Sequence, residues 1–401
     1  MSTTESTRPE RRPQPSMKQR REALFDRIGF TEKHRLNMGP PTSTFWAILS
    51  IVVIFTALGL TMVLSSSSIA NLHSGESPYR LFQRQLLWAV LGLIAGWFVY
   101  QYPYHNWRRT RWLAPMIIGS VGLNAITPLI GRNINGATAW IQVGSVRIQP
   151  SEFMKITIIL LCAHLLSARH RYVAVYQRVL VPILGILAVA GILLVAQKDF
   201  GTALVFALII LTMLFMAGVP LMQMAGASAS LAVLGVFVLT MANNARKRLL
   251  AFLNLDQTKN KDGYQVYQSI LSIANGGLKG TGIGSGTSKW GYVPLAYSDF
   301  IFAVIAEELG IVGSLVVILG FVALVFLGVR VALRARDMHG AFIAGGISAW
   351  FGFQTFINIG GIIGVIPMTG ITLPFMSYGG SSLMATMVAS ALLLNVARNM
   401  R

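Results

Sequence analysis

Residues 300–327 read FIFAVIAEELGIVGSLVVILGFVALVFL. The only charges in that run are Glu307 and Glu308, both near its start. A stretch this long and apolar crosses a bilayer as a helix, because about 20 such residues match the hydrocarbon thickness. Working outward, comparable runs occur at 44–66, 85–100, 112–130, 152–168, 179–196, 202–219, 221–241, 341–366 and 381–396. The runs at 85–100 and 381–396 are short and should extend into their flanks. The expected fold is an all-α polytopic membrane protein of about ten transmembrane helices, with a large extracytoplasmic loop between helices 7 and 8.

Composition agrees. Of 401 residues 54% are hydrophobic and 12% charged, about half the charged share of soluble domains. The net charge of +19 is spread over short clusters between apolar runs, which excludes nucleic acid as a partner and points to the positive-inside rule. Cys162 is the single cysteine, so neither a disulfide framework nor a cysteine-rich metal site is available. The first forty residues contain nine Lys/Arg and no apolar run. They lack the apolar core and small-residue cleavage site of a removable signal peptide. The expected organisation is a disordered basic cytoplasmic tail at 1–43, a membrane domain at 44–397 and a short cytoplasmic end at 398–401.

An even number of spans puts both termini on one side. Arg108, Arg109 and Arg111, then Arg169, Arg171 and Arg178, then Arg330, Arg334 and Arg336, fall with the tail and Arg398 on that side, which should be cytoplasmic. The expected location is the cytoplasmic (inner) membrane, crossed many times, with both termini inside. Arg246, Lys247 and Arg248 are the exception. They open the long segment 243–299, read as an interfacial helix followed by a Gly-rich loop. The polar loops that exceed simple connectors are 131–151, Gln197-Lys198-Asp199, 243–299 and 367–380, and all emerge outside.

Acidic residues number 14, five of them in the tail. Glu152, Asp199, Asp299, Glu307 and Glu308 sit in or at the ends of apolar spans, where a charge is costly and commonly functional. Asp299 stands where loop meets span, as a helix cap or as a site carboxylate. Glu307, about 12 Å deeper at 1.5 Å per residue, reads as a buried structural carboxyl, and Glu308 should pair with a basic group on another helix. Glu152 and Lys155, at i and i+3, can pair on one face; alternatively Lys155 is a fixed positive charge for an anionic head group. Asp199 caps the sixth span or belongs to the site. Gly280, Gly282, Gly284 and Gly286, before Ser288-Lys289-Trp290-Gly291-Tyr292, match no Walker motif and read as a mobile loop whose amides approach a substrate. Ser377-Tyr378-Gly379-Gly380-Ser381-Ser382 reads either as a permissive turn or as an anion site of exposed amides at a helix start.

Three strings then carry a resemblance: Gln149-Pro150-Ser151-Glu152-Phe153-Met154-Lys155; Tyr297-Ser298-Asp299-Phe300-Ile301-Phe302-Ala303 through Glu307-Glu308-Leu309-Gly310; and Pro374-Phe375-Met376-Ser377-Tyr378-Gly379-Gly380-Ser381-Ser382. With Asn135-Gly136, Ala139-Trp140-Ile141 and Asp199-Phe200-Gly201-Thr202, they resemble the SEDS (shape, elongation, division and sporulation) family, which contains FtsW and RodA, over about 44–397 and in the right order. The basic tail and Lys289-Trp290-Gly291-Tyr292-Val293-Pro294 look more like the division member than the elongation member. Tyr297 is a departure, since the family commonly has His two residues before its key Asp.

The resemblance implies a peptidoglycan glycosyltransferase that polymerises lipid II beside a class B penicillin-binding protein and divisome proteins, within membrane lipid. It maps the family's essential Asp onto Asp299, and other site positions onto Glu152, Lys155, Asp199 and Ser377. The chemistry is consistent: a sugar hydroxyl attacking an anomeric carbon needs a base, for which Asp299 is the candidate. The leaving diphosphate needs cations, for which Lys155, Arg132, Arg147 and Lys289 are candidates. A divalent cation (Mg²⁺ or Mn²⁺) is compatible with these carboxylates but not demanded by their spacing. The rival readings are a lipid II flippase, an elongation-type polymerase and a division scaffold.

Overall fold

The structure, a computed structural model, describes residues 41–73, 75–134, 136–144 and 146–400. The tail up to residue 40, Asn135 and Arg401 lie outside the described residues. Ten long apolar helices follow one another: α1 Ser43–His73, α2 Arg80–Gln101, α3 Thr110–Ile130, α4 Pro150–Ala168, α5 Leu180–Ala196, α6 Phe200–Ala217, α7 Leu221–Met241, α11 Ile301–Arg334, α12 Met338–Ile362 and α13 Gly380–Arg398. Between α7 and α11 lie the shorter α8 Asn243–Leu253, α9 Leu255–Thr258 and α10 Tyr264–Gly276. Among the described residues nine helices are long and apolar enough to cross a membrane, and α5, at 17 residues, is as apolar but shorter. The two runs read as short do extend into their flanks, becoming α2 and α13.

Helices are what such sequences must form in lipid, where no water is present to satisfy a stray backbone group. Hydroxyls inside the spans turn back onto their own helix for the same reason. Thr56 donates to the Val52 carbonyl, Ser66 to Met62, Thr212 to Leu208 and Ser348 to Ala344. The core surrounds α12, whose Phe342, Ile343, Trp350 and Phe351 are buried against α4, α6, α11 and α13. Outward faces are equally apolar: Leu93, Ile94, Trp97 and Phe98 of α2, and Val233, Val236 and Phe237 of α7, are exposed. Patches of that kind are lipid-facing in a membrane protein and unsustainable in water.

Two departures from expectation matter. Segment 131–151 contains an antiparallel sheet, β1 Arg132–Ile134, β2 Ala137–Val143 and β3 Val146–Ile148, in the order β1-β2-β3. Trp140 faces Arg132 across one pair, and Ile141 faces Ile148 across the other. The apolar and partly β-branched run Ala139-Trp140-Ile141 suits a strand, and Ala139 is fully buried. The other departure is in α11, broken at Gly310 with φ 69 and ψ −167. The stretch after α10 plugs the break: the Thr281 and Gly282 amides donate to the carbonyls of Glu307 and Glu308, and the Ile311 amide to the Gly277 carbonyl.

The ends of the bundle differ in chemistry. At one, Tyr104 donates to Asp337 Oδ1 at 2.8 Å, His105 Nε2 lies 3.2 Å from Asp337 Oδ2, and Arg398 donates to the Tyr100 hydroxyl at 2.6 Å. The opposite end gathers the four polar loops.

Candidate functional site

Each of those loops is tied to another by hydrogen bonds. The Thr138 amide donates to the Gln197 carbonyl at 2.9 Å, joining β2 to the turn before α6. Gln149 donates from Nε2 to Asp199 Oδ2 at 3.0 Å and from its amide to Ser381 Oγ at 3.1 Å. The Tyr378 amide donates to the Tyr297 carbonyl at 2.9 Å, and Arg248 Nη1 donates to the Thr369 carbonyl at 2.7 Å. The non-glycine residues with positive φ among the described residues, Lys198, Leu295 and Phe375, all lie in these loops. Strain of this kind costs on the order of 1–3 kcal/mol per residue and tends to collect at functional sites.

Asp299 stands at the centre. It does not cap α11, whose N-cap is Phe300 with no side-chain cap. Its Oδ1 accepts from the Ser298 hydroxyl at 2.8 Å, and its main-chain carbonyl accepts from Asn358 Nδ2 at 2.9 Å. The residue is half-buried, and burial pushes its carboxyl up to about 6 against the opposing pull of the Ser298 hydrogen bond and the Arg248 charge. Gly370, at φ +78, lies between carboxylate and guanidinium: a Cβ there would be 3.3 Å from Arg248 Nη1 and 3.5 Å from Asp299 Oδ2. An anionic oxygen and a cationic nitrogen thus approach the same side of Gly370, with room between them for little more than a methyl group.

The other expected site residues divide into three groups. Asp199 is the cap that its place suggested: Oδ1 caps α6 through the Thr202 amide at 3.1 Å, while Oδ2 accepts from Gln149. Burial raises its carboxyl, and the nearby Glu152 charge adds to the rise.

Lys155 and Lys289 are not available as open cations. Lys155 is 2% exposed, with Nζ 2.9 Å from Glu152 Oε1, 2.7 Å from Gln354 Oε1 and 4.7 Å from the centre of the Trp350 ring. Of the two readings of that pair, the structure shows the ion pair. Lys289 is 6% exposed, donates to the Gly284 carbonyl, and lies 3.3 Å from Glu308 Oε1. Glu308 thus has a basic partner, supplied by the segment between α10 and α11 rather than by another span, and it also accepts from Ser65 at 2.7 Å. The Gly-rich segment is likewise engaged. Glu307, fully buried, accepts from Asn275 Nδ2, the Thr287 amide and hydroxyl and the Ser288 amide, so those amides meet a protein carboxylate rather than an approaching substrate.

Ser377 is 4% exposed and its hydroxyl accepts from the Leu373 amide at 2.8 Å, while the Gly379 amide donates to Gln85 Oε1 at 3.3 Å. Here the turn reading holds, and these groups are turned inward. Arg132 and Arg147 are exposed on the sheet. Arg147 is close enough to oppose the upward shift that burial imposes on the Tyr297 phenol, and Tyr297 meets Tyr378 edge-on at 5.7 Å. Among the described residues no three His, Cys, Asp or Glu side chains converge to hold a metal ion.

Sequence reading missed Arg248, Asn358, Gln354 and Gly370. Arg248 had been read only as part of a basic cluster on the unexpected side. Asn358 and Gln354 sit four apart on α12, and a pair of carboxamides within an apolar span was the available signal.

Residues 45–401 match the profile of a family described as "Cell cycle protein", covering FtsW, RodA and SpoVE. Stage V sporulation protein E of Bacillus subtilis is 37% identical over 90% of this chain and 98% of its own length. The probable peptidoglycan glycosyltransferase FtsW of Mycobacterium tuberculosis is 34% identical over 90% of this chain and 69% of its own length. Among solved structures, a chain of a peptidoglycan synthase complex that coordinates polymerization and crosslinking aligns with a TM-score of 0.73 at 28% identity, covering 88% of this chain and 97% of that one. Rod shape determining protein RodA of Thermus thermophilus aligns at 0.65 and 27%, with the same coverage. Sequence and architecture agree: the chain belongs to the FtsW/RodA/SpoVE family.

Proposed function

We propose that this chain is a peptidoglycan glycosyltransferase of the division type, polymerising lipid II at the outer face of the cytoplasmic membrane with Asp299 as its general base. The observation that carries the reading is the state of Asp299. It is a half-buried carboxylate that caps no helix, is pushed up to about 6 by burial, and shares one side of Gly370 with the Arg248 guanidinium. A base works best when its pKa is near the operating pH, and one placed within hydrogen-bond reach contributes about 10²–10⁴-fold.

In the reaction the 4-hydroxyl of one sugar attacks the anomeric carbon of another. The new C–O bond forms as the bond from that carbon to the diphosphate breaks. The hydroxyl proton passes to Asp299 and the electron pair leaves with the polyprenyl diphosphate. Asn358 and the 367–380 segment fix the main chain around the carboxylate, so little reorganisation is needed at the moment of attack. Gln149 with Asp199, and Lys155 with Glu152 and Gln354, make the hydrogen bonds that tie α4 to α6 and to α12. A Mg²⁺ or Mn²⁺ ion, where one takes part, would arrive on the substrate diphosphate, as Mg²⁺ commonly does.

The distribution of basic clusters supports the outer face. Arg108, Arg169, Arg336 and Arg398 belong to the end opposite Asp299, and basic clusters stay cytoplasmic. Sugars then remain wet while the polyprenyl chains stay in lipid. A class B penicillin-binding protein and divisome proteins are the proposed partners. The test is lipid II polymerisation by the purified chain with such a partner. Asp299→Asn and Asp299→Ala should abolish glycan growth while the protein still folds and binds the partner. Retained polymerisation would remove Asp299 from the base role, and transport of lipid II without polymerisation would favour a flippase.

A further inference from the structure

We propose that the cavity enclosed by α8, α10 and the 364–368 loop is the seat of the lipid-linked diphosphate, with Arg248 as its principal ligand and Lys247 as the second cation. The substrate class rests on the glycosyltransferase reading above; the place is argued from the cavity itself.

Burial and charge narrow the choice of cation. Two of the four candidates legible in the sequence, Lys155 and Lys289, are closed into ion pairs. Arg132 and Arg147 lie exposed on the sheet. Arg248 is differently placed, because it faces two ways. On one side its guanidinium approaches Gly370, as Asp299 Oδ2 does. On the other it lines a cavity of about 220 Å³, together with Asn244, Lys247, Phe252, Gln265 and Met368. Asp262 is the single acid in that lining, and no ion pair closes on Lys247, Arg248 or Asp262 among the described residues. The lining therefore has two cations against one anion, plus two carboxamides able to donate.

An arginine presents several donors in a planar fork that matches phosphate oxygens two at a time. Only Nη1 is committed, to the Thr369 carbonyl. Bound there, a diphosphate would lie against the guanidinium that adjoins Asp299 at Gly370, and the negative charge that develops on departure would fall on a cation already in place. The segment suits a lipid-borne ligand. Helix α8 follows directly on span α7, and its Leu250 and Leu253 are exposed one and two turns beyond the basic run 246–248, the make-up of a helix lying at a lipid boundary.

Anionic phospholipid headgroups share this chemistry, so the test must separate the two sources. The full chain, in neutral detergent without any sugar substrate, is titrated with farnesyl diphosphate, and competition is measured with farnesyl monophosphate and with phosphatidylglycerol. Diphosphate binding should be saturable and outcompete both rivals. Arg248→Gln should weaken it by at least about tenfold and Lys247→Gln by less, with Arg248→Lys intermediate and melting temperatures unchanged for the lysine variant. Unchanged affinity in Arg248→Gln, loss confined to Arg147→Gln, or equal competition by phosphatidylglycerol would each overturn the assignment. No turnover is required, so a chain that binds diphosphate here but makes no glycan would count against the polymerase reading alone.

Discussion

Asn358 donates from its one Nδ2 to two main-chain carbonyls, that of Asp299 at 2.9 Å and that of Ile371 at 2.7 Å. The first belongs to the loop entering α11 and the second to the segment leading to α13, so a single carboxamide on α12 clamps the two walls of the site. Asn358 touches no reacting atom and acts by position. Asn358→Ala would strand both carbonyls, at a cost of about 1–3 kcal/mol for a buried group left unpaired, and would free the Asp299 backbone. The expected kinetic signature is a fall in kcat of about tenfold or more with KM little changed, since misplacement of a base harms the transition state more than substrate capture. Asn358→Gln, which keeps the donor on a longer stem, should recover part of the loss. A variant with lower melting temperature but wild-type kcat would show that Asn358 is structural alone.

Burial raises the Asp299 carboxyl to about 6, and the direction of the pH dependence follows. A base must be ionised, so polymerisation rate should climb with pH through about 6 and level off above. The Arg248 charge favours the ionised form; Arg248→Gln removes it, and the rising limb should move to higher pH. For stability the sign is opposite. A carboxyl raised above its unfolded value holds its proton more tightly when folded, so its contribution is fully present below the unfolded value of about 3.9 and is lost as pH rises through about 6. Initial rates across pH 5–8 check the first statement. A limb that stays in place in Arg248→Gln would mean that another group sets it.

The bundle was legible in the sequence because lipid imposes one rule on every span; the run 202–219 obeys it throughout, and 300–327 does so apart from the break at Gly310. Asp199 was legible as a cap from its place before a helical run, and Glu152–Lys155 as a pair from their spacing. What was not legible depends on contacts between distant residues. Nothing local to Lys289 says that its ammonium will be enclosed by Glu308, 19 residues away, or that the glycines before it will surround Glu307 instead of a substrate. Arg248 was obscured by its neighbours, since a basic triplet reads as a topology signal whichever of its members faces a site. The sheet at 132–148 was missed because its strands are short and broken by Gly136 and Gly144, both at positive φ.

The fate of Lys289 yields a prediction that separates anchoring from substrate binding. Lys289 and Glu308 form a buried pair, with side chains 5% and 0% exposed. Removing one partner leaves an uncompensated charge and typically costs about 3–5 kcal/mol. Lys289→Met should therefore lower the melting temperature markedly, and Lys289→Met with Glu308→Met should restore much of it, while farnesyl diphosphate affinity stays unchanged in the double variant. Loss of that affinity with intact stability would return Lys289 to the role its sequence suggested.

Gly310 offers the sharpest test of the broken helix. Its φ of 69 and ψ of −167 fall in a region essentially reserved for glycine. An added Cβ would lie 2.3 Å from the Gly280 amide nitrogen and 2.5 Å from the Leu278 carbonyl oxygen, both main-chain atoms that cannot swing aside. Gly310→Ala thus combines backbone strain of about 1–3 kcal/mol with a clash against the segment that plugs the break. The expected outcome is a chain that inserts in the membrane but melts far below wild type, with faster hydrogen exchange at the Thr281 and Gly282 amides. Gly191→Ala, inside the regular helix α5, should cost much less, since no atom from elsewhere in the protein lies within 4 Å of its added methyl. Similar melting temperatures for the two variants would show that the break in α11 is not a fixed feature of the fold.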